Sequence, residues 1–124
     1  MKLTQANEAE LARLTAEKKL YSLLGLAEKG GRLASGEFMT EKTVKEGSAC
    51  LVIVAGDASD NTKKMFRNMC DFYDVPFFCF SDKETLGHKI GKEFRASLAV
   101  KDEGMAKAIE KHLAVLGEIG AKTR

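Results

Sequence analysis

Apolar and polar residues follow short periods along this chain, interrupted by one run that is apolar throughout, Cys50-Leu51-Val52-Ile53-Val54-Ala55. Four of the six are long aliphatics, three of those are β-branched, and the run stops at Gly56-Asp57. That pattern predicts a strand buried on both faces. Helical periodicity on either side predicts a parallel or mixed sheet covered by helices, in which functional residues gather where strands end. For this strand the end is Gly56-Asp57-Ala58-Ser59-Asp60-Asn61.

Residues 7–29 carry Leu11, Leu14, Leu20, Tyr21, Leu24 and Ala27 at helical spacing, with Asn7 and Glu10 spaced as a capping pair. Gly30-Gly31 ends that helix, Arg32–Ser35 reads as a short strand, and Gly36 opens a second helix over 37–46 that Gly47 closes. After the central strand, 49–55, Ser59 or Asp60 is placed to cap a third helix reaching Tyr73, with Met65, Met69 and Cys70 or their neighbours buried. Residues 75–80 form the next strand, whose entry holds Pro76, where a missing ladder donor does least harm. Ser81-Asp82-Lys83-Glu84 has capping-box spacing ahead of a fourth helix through Leu86 and Ile90, with Gly87 and Gly91 giving it a smooth edge. A last strand at 95–100 precedes a helix capped by Asp102 that carries Met105, Ala106, Ile109, Leu113 and Leu116. Residues 118–124 are expected to fray, and residues 1–16 to extend the first helix or mediate an oligomer contact. Five helices alternating with four strands predict a three-layer α/β/α sandwich on a four-stranded mixed sheet, as one domain over 1–124.

A chain of 124 residues, 44% hydrophobic and 31% charged, has room for a single core. No apolar stretch is long enough to cross a bilayer, and Met1–Gln5 leads into a charged segment without an apolar signal core, so a cytoplasmic protein with no membrane partner is expected. Cys50, Cys70 and Cys79 read as buried thiols in a reducing compartment. With His88 or His112 they form no thiol–imidazole pair on the predicted elements, and no Cys/His spacing suits zinc. No Gly-Lys-Ser/Thr follows Gly30-Gly31 or Gly36, so nucleotide hydrolysis has no support. Asp57 and Asp60 have the chemistry for a divalent ion or a base, but capping the third helix explains them more simply. No enzymatic activity, cofactor or metal is expected.

Net charge is only +2, so the placement of charge carries more information than its sum. Lys29, Arg32, Lys42 and Lys45 surround the first strand and second helix, Lys63, Lys64 and Arg67 follow the turn, and Lys89, Lys92, Arg95 and Lys101 surround the fourth helix and last strand. If strand ends and helix starts converge, several of these share one positive face interrupted by Glu37, Asp57 and Asp60. A solvated surface explains charge alone equally well. Gly36, which lets another backbone approach, and the free N–H groups of a helix starting at Glu37 favour a phosphate-bearing ligand.

An ordered set of segments resembles the kink-turn RNA-binding ribosomal proteins of the seven-Ae and thirty-e type, most nearly their small bacterial YlxQ-like members. The set is Leu23–Ala27, Gly30–Glu37, Leu51–Ser59, Asn61-Thr62, Val75-Pro76, Leu86-Gly87, Ile90-Gly91 and Val100–Gly104, spanning roughly residues 18 to 113. The resemblance implies the same fold and an RNA grip formed by the start of the second helix, the turn after the central strand and the loop before the last helix. By position these are Gly36, Thr40 and Lys42, then Gly56, Asp57 and Asn61, then Val100 and Lys101, with Arg32 and Glu37 beside them. The Asn-Glu pair with which seven-Ae proteins read tandem G·A pairs is replaced by Phe38-Met39, which cannot make base-edge hydrogen bonds. One of the two is expected to pack on the sheet, and Phe38 is otherwise suited to stack on an unpaired base. The resemblance implies a bacterial, monomeric RNA-binding protein acting on ribosomal or other structured RNA, with the ribosome as a partner. Two rival readings are a protein–protein adaptor that has lost RNA readout and, less well supported, a substrate-recognition module of an RNA-modifying enzyme.

Overall fold

The computed structural model describes the backbone of residues 5–117 and the side chains of residues 8–117, so the expected frayed tail lies outside the described residues. Its elements run α1 Gln5–Lys29, β1 Leu33–Ser35, α2 Glu37–Lys45, β2 Leu51–Val54, α3 Asp60–Tyr73, β3 Phe77–Cys79, α4 Lys83–Lys89, β4 Ser97–Val100 and α5 Glu103–Val115. The strands form one sheet in the order β1-β4-β2-β3. β2 and β3 are parallel, with Val52 opposite Phe77. β4 is antiparallel to both of its neighbours, pairing Ala99 with Ala34 on one side and with Val52 on the other.

Successive strand side chains point to opposite faces, which is why the apolar run is buried twice over. Leu51, Ile53 and Ala55 join Leu20 and Leu24 of α1, Leu86 of α4, and Ile109 and Leu113 of α5. Val52 and Val54 join Val44 of α2 with Phe66 and Cys70 of α3. The same alternation sends Leu98 and Val100 to the first cluster and Ala99 to the second. Three helices cover one face and two the other, giving the α/β/α sandwich. Burying a Leu, Ile, Val or Phe side chain contributes roughly 1.5–3 kcal/mol, so β2 is most stable where both of its faces are covered. β3 lies at the sheet edge, where Pro76 at its entry costs no interior ladder bond.

Several local expectations are revised. The backbone of Asn7 lies inside α1, two residues past Gln5. Leu11 and Leu14 are 65% and 57% exposed, because the part of α1 that covers the sheet begins at Ala16. The stretch before it extends the helix and is tied to the end of α5, where the Arg13 guanidinium donates to the Leu116 carbonyl at 2.8 Å. On α3 the buried residues are Phe66 and Cys70, and Met65 and Met69 pack only against their flanks. Ser59 caps α3, accepting from the Thr62 N–H at 3.1 Å. Asp57 does not cap α3 but reaches the start of α4, accepting from the Lys83 N–H at 2.9 Å. Asp82, not Ser81, is the α4 cap, accepting from the Thr85 N–H at 2.7 Å. Gly91 lies beyond α4 in a turn at φ +75°. Only Gly87 needs a bare edge, since a Cβ there would collide with the Glu93 carbonyl where the chain folds back over the helix.

Candidate nucleic-acid interface

β1, β2 and β3 end at one edge of the sheet, and β4 begins there. Backbone hydrogen bonds tie this edge together: the Gly36 N–H donates to the Ser97 carbonyl at 2.9 Å, Ala55 to Ala96 at 2.8 Å, and Gly56 to Ser81 at 2.8 Å. Gly36 sits at φ 92°, ψ 158°, a conformation reserved in practice for glycine. No side chain caps α2, and no atom lies within 4 Å of where a Gly36 Cβ would stand. The positive end of a nine-residue helix therefore faces open space, which is the arrangement that receives an anion.

Thr40 and Lys42 divide the work of this helix. Thr40 is fully buried, its hydroxyl accepting from the Ser97 hydroxyl at 3.1 Å, so it holds α2 against β4 and cannot itself touch a ligand. Lys42 is exposed and ion-paired to Glu46 at 3.5 Å, an i,i+4 surface contact worth only a few tenths of a kcal/mol, so its ammonium is easily redirected. Glu37 is exposed in the first turn, which lowers the positive potential there. Phe38 and Met39 are 75% and 42% exposed, contrary to the expectation that one packs on the sheet. The buried face of α2 belongs to Thr40, Thr43 and Val44, and residue 38 lies on the other side of the helix.

Beside α2, the Gly56–Asp57 turn is held by its neighbours. A Cβ on Gly56 would stand 3.1 Å from the Ser81 carbonyl oxygen, so the two backbones are in close approach. Ser81 adopts a left-handed φ of 68°, held by the Gly56 N–H and by its hydroxyl contact with the Tyr21 hydroxyl at 2.6 Å. Burial raises the Tyr21 phenol above its usual range, with the Ser81 hydrogen bond opposing. The Thr85 N–H, then its hydroxyl, hold the Asp82 carboxyl below the usual carboxylate range. Asn61 is exposed in the first turn of α3.

Gly36, Glu37, Gly56, Asp57 and Asn61 thus share one edge, above the buried Thr40, while Lys42 stands roughly 9 Å further along α2 and is paired toward its C-terminal end. Arg32, Val100 and Lys101 do not join them. β4 is antiparallel, so its end lies at the opposite edge, roughly 13 Å away for four residues of strand. There the Lys101 N–H donates to the Arg32 carbonyl at 2.8 Å, and Arg32 is ion-paired to Asp102 at 3.0 Å. Val100 is fully buried in the core and has no surface to offer. In their place the structure brings the loop before the last strand. Arg95 donates through Nε to the Ser35 hydroxyl at 3.0 Å, next to Gly36, and through Nη1 to the Phe94 carbonyl at 2.8 Å. Phe94 is exposed, and with Lys92 and Arg95 it walls a cleft of about 890 Å³ against Thr85, His88 and Lys89 of α4. The charges of this loop are visible in the sequence; only the direction of β4 separates Arg95 from Lys101.

The edge can accept a phosphate at the α2 start, set the Arg95 cation beside it with Lys42 further along α2, and offer Phe38 and Phe94 as stacking faces. Among the described residues there is no cluster of three or more His, Cys, Asp or Glu for a metal ion, and no helix long and apolar enough to cross a membrane.

Comparison with known proteins follows the same outline. The model of the ribosomal protein L7Ae/L30e/S12e/Gadd45 family matches residues 18–110. The RNA-binding protein YlxQ of Bacillus subtilis (strain 168) is 40% identical over 86 residues, 69% of this chain and 86% of that protein. The RNA-binding protein YlxQ of Enterococcus faecium is 37% identical over 90 residues, 73% and 86% of the two. A solved structure of a protein with unknown function from Bacillus halodurans C superposes with TM-score 0.75 at 35% identity, covering 77% of this chain and 97% of that one. The Giardia lamblia 15.5kD RNA binding protein shares the fold at TM-score 0.68 and 22% identity, over 82% and 90% of the two chains.

Proposed function

This chain belongs to the ribosomal protein L7Ae/L30e/S12e/Gadd45 family, and we propose that it is a bacterial, cytoplasmic protein that binds structured RNA at the Gly36 edge. Its named relatives are RNA-binding proteins. The reading rests on one observation above the rest: α2 begins at an uncapped glycine whose Cβ position is open, with Arg95 bonded to the adjoining Ser35.

A kinked internal loop is the ligand of choice, because its sharply turned backbone presents a phosphate to a single helix start while its unpaired bases are free to stack. Gly36, Gly56 and the first-turn amides give close backbone approach, Lys42 and Arg95 neutralise phosphates, and Phe38 stacks on an extruded base. Phe38-Met39 provides no base-edge hydrogen bonds, so affinity derives from shape, charge and stacking more than from base identity. The protein acts as a monomer on ribosomal RNA or another structured RNA, in association with translation.

Titration of the full chain with an RNA hairpin carrying a kink-turn internal loop, followed by amide chemical shifts, tests this. The reading expects shifts at Gly36, Glu37, Gly56, Asn61 and Arg95. Shifts confined to Arg32 and Lys101 at the opposite edge contradict it. A protein–protein adaptor is the second reading, favoured by the exposure of both Phe38 and Met39. It expects no RNA-induced shifts at the Gly36 edge.

A further inference from the structure

We propose that the groove between α1 and α4 is a second RNA site, which takes the phosphate backbone of a duplex arm leaving the Gly36 edge; this rests on the RNA-binding reading above. α1 and α4 cross closely at Gly25, where a Cβ would stand 3.4 Å from the Lys89 carbonyl oxygen. The crossing leaves a valley of about 610 Å³ with Tyr21 and Leu26 in its lining and Lys18, Lys29 and Lys89 around it. All three lysines are exposed, and among the described residues none has a carboxylate within ion-pair distance. Lys89 stands over the Tyr21 ring at 5.3 Å, a position that fixes its direction without neutralising it.

Three unpaired like charges strung along the groove, tempered near Tyr21 by the carboxylates of Glu17 and Asp82, give it a net positive lining that attracts a polyanion. The groove is continuous with the candidate interface, because Lys89 also lines the cleft walled by Lys92, Phe94 and Arg95, and Arg95 bonds Ser35 next to Gly36. Carboxylates interrupt the path at that cleft, where Glu84 and Glu93 form part of the wall. Glu28 is already paired with Lys92 at 3.6 Å. Lysines are point charges on flexible stems and impose little geometry, which suits sequence-independent contact with phosphates better than base readout. A duplex arm is the matching ligand: regular, densely anionic, and necessarily attached to any internal loop held at Gly36.

The test compares two RNAs on the full chain, one with the internal loop and a minimal closing stem, the other with that stem extended by a further helical turn. Each is titrated at 50 and 200 mM salt against the native chain, the triple variant K18Q/K29Q/K89Q, and K42A. With about 0.9 counterions released per phosphate, three added contacts make the affinity gained from the longer arm fall roughly 40-fold between the two salts. The proposal expects that gain in the native chain and in K42A, and its loss in the triple variant. Equal affinity of the native chain for both RNAs, or a gain that survives in the triple variant, overturns the groove while leaving the Gly36 reading intact. Binding of neither RNA overturns both.

Discussion

Replacing Gly36 with alanine isolates the backbone geometry on which the interface depends. At φ 92° and ψ 158° an L-residue is strained by about 1–3 kcal/mol, and that strain is the whole cost, since a Cβ there meets no atom within 4 Å. Gly31 provides the internal control. It is also positive in φ, at 70°, and equally open, but it lies in the ordinary left-handed well, where alanine costs about 1–2 kcal/mol. Gly36→Ala is therefore expected to destabilise at least as much as Gly31→Ala. In urea, with m near 1–3 kcal/mol/M, a 2 kcal/mol loss moves the midpoint by roughly 0.7–2 M at unchanged slope. Strain also tips the first turn of α2, so Gly36→Ala weakens RNA binding and Gly31→Ala does not. A Gly36→Ala protein as stable as the native chain and with unaltered affinity refutes the reasoning, because the special backbone at the helix start would then be dispensable.

Other substitutions test separate links. Thr40→Val or Ser97→Ala alone leaves a buried hydroxyl without its partner and costs about 1–3 kcal/mol, whereas the double substitution costs less than the sum of the two; a thermodynamic cycle from urea melts reads the coupling. Phe66→Ala removes the largest buried side chain of α3 and costs about 3–5 kcal/mol by the same assay. The Asp82 carboxyl is held below its unfolded value by Thr85, so its contribution is present above the ordinary carboxylate range and is lost as pH falls through the folded value; melting temperatures of the native chain and Asp82→Ala are expected to converge on acidification. Lys42→Ala is expected to lower the slope of log affinity against log salt by about one phosphate contact, and an unchanged slope would make Lys42 a mere surface lysine.

The fold was legible wherever a residue's surroundings depend on sequence period alone. Leu51–Val54 is buried on both faces because four consecutive aliphatics cannot be satisfied any other way, and Asp102 caps α5 as its position before an apolar periodic stretch requires, accepting from the Met105 N–H at 2.8 Å. Strand direction was not legible. A run such as Ser97–Val100 looks the same running either way, and its antiparallel course moves Arg32 and Lys101 to one edge and Arg95 to the other. Phe38 was readable in principle, since it lies two residues before the buried Thr40 on a helix; the habit of placing aromatics inside a core points the other way. Leu11 and Leu14 show the converse, an apolar helical spacing that continues past the sheet and has nothing beneath it. The link from Asp57 to Lys83 joins residues 26 positions apart, and no local pattern encodes it.

RNA binding at the Gly36 edge is tested most directly by titrating the native chain with three RNAs of equal length, a kink-turn hairpin, a plain duplex and a single strand, at two salt concentrations. The geometry of the uncapped helix start and the exposed Phe38 predicts tightest binding to the kink-turn RNA, with a preference over the duplex that persists at the higher salt. Equal affinity for all three, vanishing together as salt rises, or no binding to any of them, would contradict a built site for structured RNA.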